Sequence, residues 1–140
     1  LPREESLLSM LTAGQIMTRD VMTITPETTV EELLSIMTKH HHMGYPIVNE
    51  KGELIGIVTF EDVSKVPASK RSKTLAKEIA HKKLVTVNTD TSAMEVYEKM
   101  DKHKIGRILV VDKENPKKLL GIITKTDILH ILRWPMKRKR

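Results

Sequence analysis

A chain of 140 residues with 39% hydrophobic and 3% aromatic content must build its core from Ile, Leu, Val and eight Met, and it has room for one compact domain or two small halves sharing a core. No apolar run approaches the roughly 20 residues that cross a bilayer, the start carries no basic-then-apolar leader, and zero cysteines exclude disulfides and thiolate chemistry, in keeping with a cytoplasmic location. The net charge of +6 invites a nucleic-acid reading, but much of it sits in Lys137-Arg138-Lys139-Arg140 and in Lys65, Lys70, Arg71, Lys73 and Lys77, a pattern expected of a solvated tail and a linker.

Residues 1–13 form a lead-in segment, with Leu7, Leu8, Met10 and Leu11 expected on one helical stripe. Because the chain starts at Leu1, it is expected to be a trimmed, processed or partial sequence. Gln15-Ile16-Met17-Thr18 reads as a turn of helix. Val21-Met22-Thr23-Ile24-Thr25 alternates as a strand that Pro26 stops. Thr29 with Glu32 makes a capping box for a helix over Val30, Leu33, Leu34, Ile36 and Met37, running into His40-His41-His42. Strands at Tyr45–Asn49 and Leu54–Val58 flank a turn at Gly52, and Thr59 caps a short helix through Val63.

After a polar break at Ser64–Thr74 the same order returns. Leu75–Ala80 is a helical turn and Leu84–Val87 a strand. Ser92 with Glu95 is a second capping box, opening a helix over Ala93, Val96, Tyr97 and Met100. Arg107–Asp112 and Leu119–Ile123 are paired strands, and Thr124–Leu132 is the closing helix, with Trp134-Pro135 beyond it. Thr23/Thr86, Thr29/Ser92, Met37/Met100 and Asn49/Asp112 are each 63 residues apart (86 − 23), while Gly56/Gly121, Thr59/Thr124 and Asp62/Asp127 are each 65 apart (127 − 62). The longer turn Lys113–Lys118 accounts for the difference. The chain is therefore a tandem repeat of strand, helix, strand, strand, helix, with expected boundaries at 14–65 and 75–132, a linker at 66–74 and a basic tail at 133–140. The fold class is α/β with α+β character. Each unit alone buries too little, so the two β-α-β-β-α repeats are expected to pack as a pseudo-two-fold pair with two equivalent clefts, where small ligands bind.

The motifs that recur are Gly56-Ile57-Val58-Thr59-Phe60-Glu61-Asp62 and Gly121-Ile122-Ile123-Thr124-Lys125-Thr126-Asp127. Together with Ile16-Met17-Thr18, Thr23-Ile24-Thr25-Pro26 and Tyr45-Pro46-Ile47-Val48-Asn49, they resemble a tandem pair of CBS motifs, the module first described in cystathionine β-synthase, over about residues 14–132. The resemblance implies a dimeric regulatory module sensing AMP, ADP, ATP or S-adenosylmethionine. By the family's pattern, Thr124 and Asp127 face Thr23, Ile24, Met43, Gly44 and Tyr45, while Thr59 and Asp62 face Thr86, Val87, Ile105, Gly106 and Arg107. The chemistry fits: a carboxylate opening a helix accepts from both ribose hydroxyls, and free N–H groups at a helix start favour a phosphate. Glycine at Gly44 and Gly106 lets a flat base approach. Arg107 is the phosphate candidate by its fork geometry, and Lys125 assists. Because Gly44 stands where Arg107 stands in the other copy, the set with Asp62 is expected to prefer phosphorylated ligands. Thr-x-x-Asp is also a plain capping box, so a purely structural role stands beside the ribose role.

His40-His41-His42 is not expected to bind metal, since consecutive helical residues point about 100° apart; a minor role near a phosphate, shared with His103, is the alternative. No nucleophile elbow, Walker loop or His-Glu-x-x-His is present, so no catalytic residue and no cofactor are expected. The partners expected are an adenosyl ligand, a second copy and a larger regulated channel, transporter or enzyme. The rivals are a structural dimerisation module and a nucleic-acid binder that uses the tail.

Overall fold

The computed structural model describes residues 3–138, with side chains from Leu7 to Arg133. The chain runs through helices α1 (Arg3–Met10), α2 (Ala13–Ile16) and α3 (Val30–His40), strands β1 (Gly44–Val48) and β2 (Leu54–Thr59), and helix α4 (Phe60–Ser64). A 3-10 turn at Ala68–Lys70, inside what the sequence presents as a structureless break, leads to α5 (Ala76–Ile79), β3 (Thr86–Asn88), α6 (Ala93–His103), β4 (Arg107–Val111), β5 (Leu119–Thr124) and α7 (Lys125–Arg138). This is the mixed α/β class expected of the repeats, with two small sheets. Among the described residues, no helix is long and apolar enough to cross a membrane.

Two compact units emerge, and their borders differ from those of the sequence repeats. A continuous unit spans Met22–Leu84, and a discontinuous unit joins Leu1–Val21 to Val85–Arg140.

In the continuous unit, β1 and β2 pair antiparallel with Gly44 opposite Thr59 and Tyr45 opposite Val58. Leu54, Gly56 and Val58 alternate inward along β2, the period of a strand with one buried face. Helix α3 buries Val30, Leu33 and Met37 at helical spacing, and these pack with Ile24, Tyr45, Ile47, Val58 and Val63, each large side chain stabilising by about 1.5–3 kcal/mol. Its start is fixed by the predicted box, with Glu32 N–H donating to Thr29 Oγ1 at 3.1 Å and Thr29 N–H to Glu32 Oε1 at 3.0 Å. The strand expected over Val21–Thr25 contracts to Ile24, which pairs with Ile47. Ile24 makes two ladder bonds, to Pro46 O and from Val48 N–H, but Thr25 N–H turns aside to Thr28 Oγ1 and Pro26 has no N–H to offer.

In the discontinuous unit the sheet order is β3-β4-β5, with β3 parallel and β5 antiparallel to β4. Its core joins Val96 and Met100 of α6 to Ile108, Val110, Ile123 and Ile128, with Leu8, Ala13 and Met17 arriving from the start of the chain. Met10, expected on that lead-in stripe, is 77% exposed; Leu8 and Leu11 alone of the stripe reach the core cluster. The second predicted capping box is half formed: Glu95 N–H donates to Ser92 Oγ at 3.1 Å, without the return bond from Ser92 N–H to the Glu95 carboxylate. A reciprocal box not anticipated joins Thr12 and Gln15 at the start of α2. Helix α7 continues through Trp134 and Pro135, where the sequence suggests a stop after Leu132. The side chains of 134–140, and with them Trp134 and the basic tail, lie outside the described residues, as do Leu1 and Pro2.

Corresponding lead-in segments dock at corresponding strands. Thr18 and Ile122 exchange backbone bonds at 2.9 and 3.0 Å within one unit, and His81 and Ile57 exchange them at 2.9 and 3.0 Å within the other. A Cβ on Gly121 would lie 2.5 Å from Met17 Sδ and 2.9 Å from Thr18 O, and one on Gly56 would lie 3.1 Å from His81 O. The segment crossing over the motif glycine thus leaves no room for a side chain at Gly121 and a tight fit for one at Gly56. Helices α3 and α6 both end in the left-handed region on a non-glycine residue, His41 at φ 60° and Lys104 at φ 54°.

Candidate ligand-binding site

Each Gly-x-x-Thr-x-x-Asp segment ends a strand at threonine and opens a helix two residues before aspartate. The threonine is extended while the aspartate is helical, which brings the two side chains within reach of each other's backbone. At the second copy, Thr124 N–H donates to Asp127 Oδ2 at 2.8 Å and Asp127 N–H to Thr124 Oγ1 at 3.1 Å. Asp127 Oδ1 has no hydrogen-bond partner among the described residues. At the first copy, Asp62 Oδ2 accepts from both Thr59 N–H and Thr59 Oγ1, at 2.8 and 3.0 Å. Its Oδ1 is also engaged, with His81 Nε2 at 2.8 Å, and the Asp62 side chain is 11% exposed. His81 was missing from the sequence-level candidates. Its signal was the 63-residue register, which aligns it with Thr18 (81 − 18).

The helix starts are less open than expected. Lys125 N–H donates to Gly106 O at 3.0 Å and Phe60 N–H to Met43 O at 2.8 Å. With Asp127 N–H taken by Thr124, the Thr126 N–H is the group in the first turn of α7 without a partner among the described residues.

Arg107 lies on β4 directly opposite Thr124 on β5. The guanidinium has no ion-pair or hydrogen-bond partner among the described residues, and burial pulls its pKa below the ordinary arginine value; it remains a cation at neutral pH. Gly44 holds the matching place opposite Thr59. A Cβ on Gly106 would meet nothing within 4 Å, so that backbone faces open space. Thr86 is held differently from its counterpart Thr23, because Lys99 Nζ donates to Thr86 O at 2.8 Å. Val87 is buried and Ile105 half-buried, and Met43 is 50% exposed. Tyr45 is fully buried, edge-on to His42 at 6.0 Å, and burial raises its pKa. Its hydroxyl has no hydrogen-bond partner among the described residues.

Thr124, Lys125, Asp127, Thr86, Val87, Ile105, Gly106 and Arg107 therefore belong to the discontinuous unit, and Thr23, Ile24, Met43, Gly44, Tyr45, Thr59 and Asp62 to the continuous one. Within each unit the Thr/Asp pair and the strand bearing Arg107 or Gly44 come together. Of the three histidines, His40 ends α3, His41 is its left-handed cap and His42 packs on Tyr45. Among the described residues, no group of three or more His, Cys, Asp or Glu is placed to hold a metal ion.

The chain is similar to inosine-5'-monophosphate dehydrogenase of Methanocaldococcus jannaschii, 32% identical over 123 residues that make up 88% of this chain and 24% of the dehydrogenase. A zinc metalloprotease of the same organism is 34% identical over 128 residues, 91% of this chain and 34% of that protein. The chain thus spans well under half the length of these curated relatives. It shares its fold with CBSX2 solved in complex with AMP, at TM-score 0.78 and 22% identity over 93% of this chain and 99% of that one. The CBS domain of a bacterial CNNM/CorC family Mg2+ transporter, solved in complex with ATP, matches at TM-score 0.81 and 20% identity over 92% of each chain. The family model for the CBS domain matches twice, at residues 13–69 and 76–133. With both copies of the motif matched and their strand-to-helix caps formed, the chain belongs to the CBS domain family, as a tandem pair.

Proposed function

We propose that this CBS pair is a regulatory module that binds an adenosine-containing ligand, AMP, ADP, ATP or S-adenosylmethionine, and that Thr124 and Asp127 receive the ribose. The observation that carries this reading is the Oδ1 of Asp127, without a partner among the described residues, beside a capping bond that holds the carboxylate in place. A ribose diol has two donors, and a carboxylate that accepts both forms charge-assisted bonds, about twice as strong as neutral ones. Arg107, half-buried and without a hydrogen-bond or ion-pair partner among the described residues, is proposed as the phosphate cation of the other set, with Thr59 and Asp62, and Lys125 as the cation at the start of the helix that carries Asp127. Thr23, Ile24, Met43, Gly44 and Tyr45 are the residues proposed to meet the base. The AMP and ATP complexes of proteins with this fold support the ligand class.

Several relatives of which this chain covers a part carry enzyme names, so the module is proposed to act on a larger protein rather than to catalyse. Ligand binding changes that protein only through differential affinity for two of its states. A cytoplasmic setting and pairing with a second copy complete the reading.

Calorimetric titration with AMP, ATP and S-adenosylmethionine at two salt concentrations tests it. Saturable binding by one of them, weakened about tenfold by Asp127→Asn, is the expected result. Silence from all three in folded, nucleotide-free protein overturns it in favour of a dimerisation module. Binding of nucleic acid that falls steeply with salt points instead to the basic tail.

A further inference from the structure

The two Thr/Asp pairs share one motif and one capping geometry, yet they differ in what remains of the carboxylate. Asp62 has both oxygens engaged, Oδ2 by Thr59 and Oδ1 by His81 at 2.8 Å, and its side chain is 11% exposed. Asp127 accepts from Thr124 N–H through its Oδ2, and its Oδ1 has no partner among the described residues. The difference comes from one position in the repeat. His81 and Thr18 are register equivalents, each pinned by a two-way backbone exchange to the strand beside its aspartate, Ile57 in one unit and Ile122 in the other. From that anchor an imidazole reaches the carboxylate. A threonine makes no such bond here. A second observation points the same way on the other residues grouped with Asp62 by the family pattern: the Thr86 carbonyl is already capped by Lys99 Nζ at 2.8 Å, whereas the equivalent of Lys99 is Ile36 (99 − 63), which has no donor to cap Thr23.

We propose that His81 makes the two ligand sets inequivalent, by occupying at Asp62 the acceptor that a ribose diol needs, so that the chain takes one adenosyl ligand, at Asp127. The inference rests on the ligand reading above and adds to it the stoichiometry and the residue that sets it. A diol reaching Asp62 must first displace an imidazole held 2.8 Å from the carboxylate. His81 is itself 59% exposed, so it is free to swing away, and its removal leaves the backbone exchange with Ile57 intact. This ordering is opposite to the one charge alone suggests, which would favour the set containing Arg107.

The test follows backbone amide signals of the full chain by NMR during titration with AMP, which needs no variant. Thr124 and Asp127 are expected to shift with a single midpoint while Thr59 and Asp62 stay still until AMP is at least about tenfold more concentrated. In His81→Thr, which copies Thr18, Thr59 and Asp62 are expected to shift in the same range as Thr124 and Asp127, and calorimetry to count two ligands per chain. Equal midpoints for the two pairs in the unaltered chain, or an unchanged midpoint at Asp62 in His81→Thr, overturn the inference and leave the ligand reading standing. A shift at Asp62 alone overturns the inference and, with it, the placing of the ribose at Thr124 and Asp127. No shift at either pair in both proteins, with ATP and S-adenosylmethionine also silent, overturns the ligand reading and this inference with it.

Discussion

At the residue scale, the same amino acid in the same motif carries different weights in the two copies. Asp62 is bonded by Thr59 twice and by His81, whereas Asp127 is bonded by Thr124. Asp62→Ala is therefore expected to destabilise by about 2 kcal/mol and Asp127→Ala by about 1 kcal/mol, the ordinary worth of a capping contact. Urea denaturation of the two variants checks this, and an equal loss, or a larger one for Asp127→Ala, goes against it. Tyr45 offers a contrast, because its buried hydroxyl has no hydrogen-bond partner among the described residues while its ring fills the core. Tyr45→Phe should keep the packing and remove a desolvated polar group, leaving stability unchanged or raised by up to about 1 kcal/mol. A melting temperature lowered by several degrees would show that the hydroxyl has a partner in solution. Glu32 accepts the Thr29 N–H first and the Thr29 side chain second, and its pKa is lowered accordingly. A lowered folded-state pKa means that the stabilisation is present above the ordinary glutamate value of 4.5 and is lost as pH falls through the lower folded value. Glu32→Gln should remove that segment of the acid-side stability profile.

At the element scale, the glycines inside β2 and β5 have a packing reason that no local pattern reveals. Gly56 and Gly121 look like motif glycines, but each is where a lead-in segment crosses a strand. A Cβ on Gly121 would sit 2.5 Å from Met17 Sδ, with the Thr18 carbonyl at 2.9 Å, while one on Gly56 would find its nearest neighbour, His81 O, at 3.1 Å. Gly121→Ala is expected to cost about 1–3 kcal/mol by overpacking against a fixed backbone, and Gly56→Ala less. Thermal melts of the pair check the order, and it fails if Gly56→Ala is the more damaging. The helices themselves were largely legible from their sequence, since Val30, Leu33 and Met37, or Ala93, Val96 and Met100, mark one face at helical spacing. The ends were less legible. Ser92 and Glu95 have the spacing of a box but form half of one, and Pro135 does not stop α7.

At the scale of the whole molecule, the chain is folded in two units that cut across its two repeats. Residues Leu1–Val21 belong with Val85–Arg140, and the second repeat's lead-in, Ala76 and His81, bonds to Thr28 and Ile57 of the first. Cutting at the repeat border therefore divides both units, while excising Met22–Leu84 divides neither. A fragment of residues 22–84 is expected to show cooperative thermal unfolding by circular dichroism, and a fragment of residues 1–74 is not, because it lacks Ala76, Ile79 and Ala80 from its core and carries residues 1–21 without their sheet. Cooperative melting by the fragment of residues 1–74, and not by that of residues 22–84, would contradict the division.

The sequence by itself determined the repeat, the order of its elements, the helix-capping threonines and the carboxylates that open α4 and α7. All of these are set by spacings of three or four residues or by a constant register, which local geometry turns directly into structure. Only the tertiary structure decided which carboxylate stays available. The contact between His81 and Asp62 spans 19 residues and depends on where a crossing segment docks, and that docking is fixed by packing over a glycine and by backbone bonds between strands, neither of which a local pattern records.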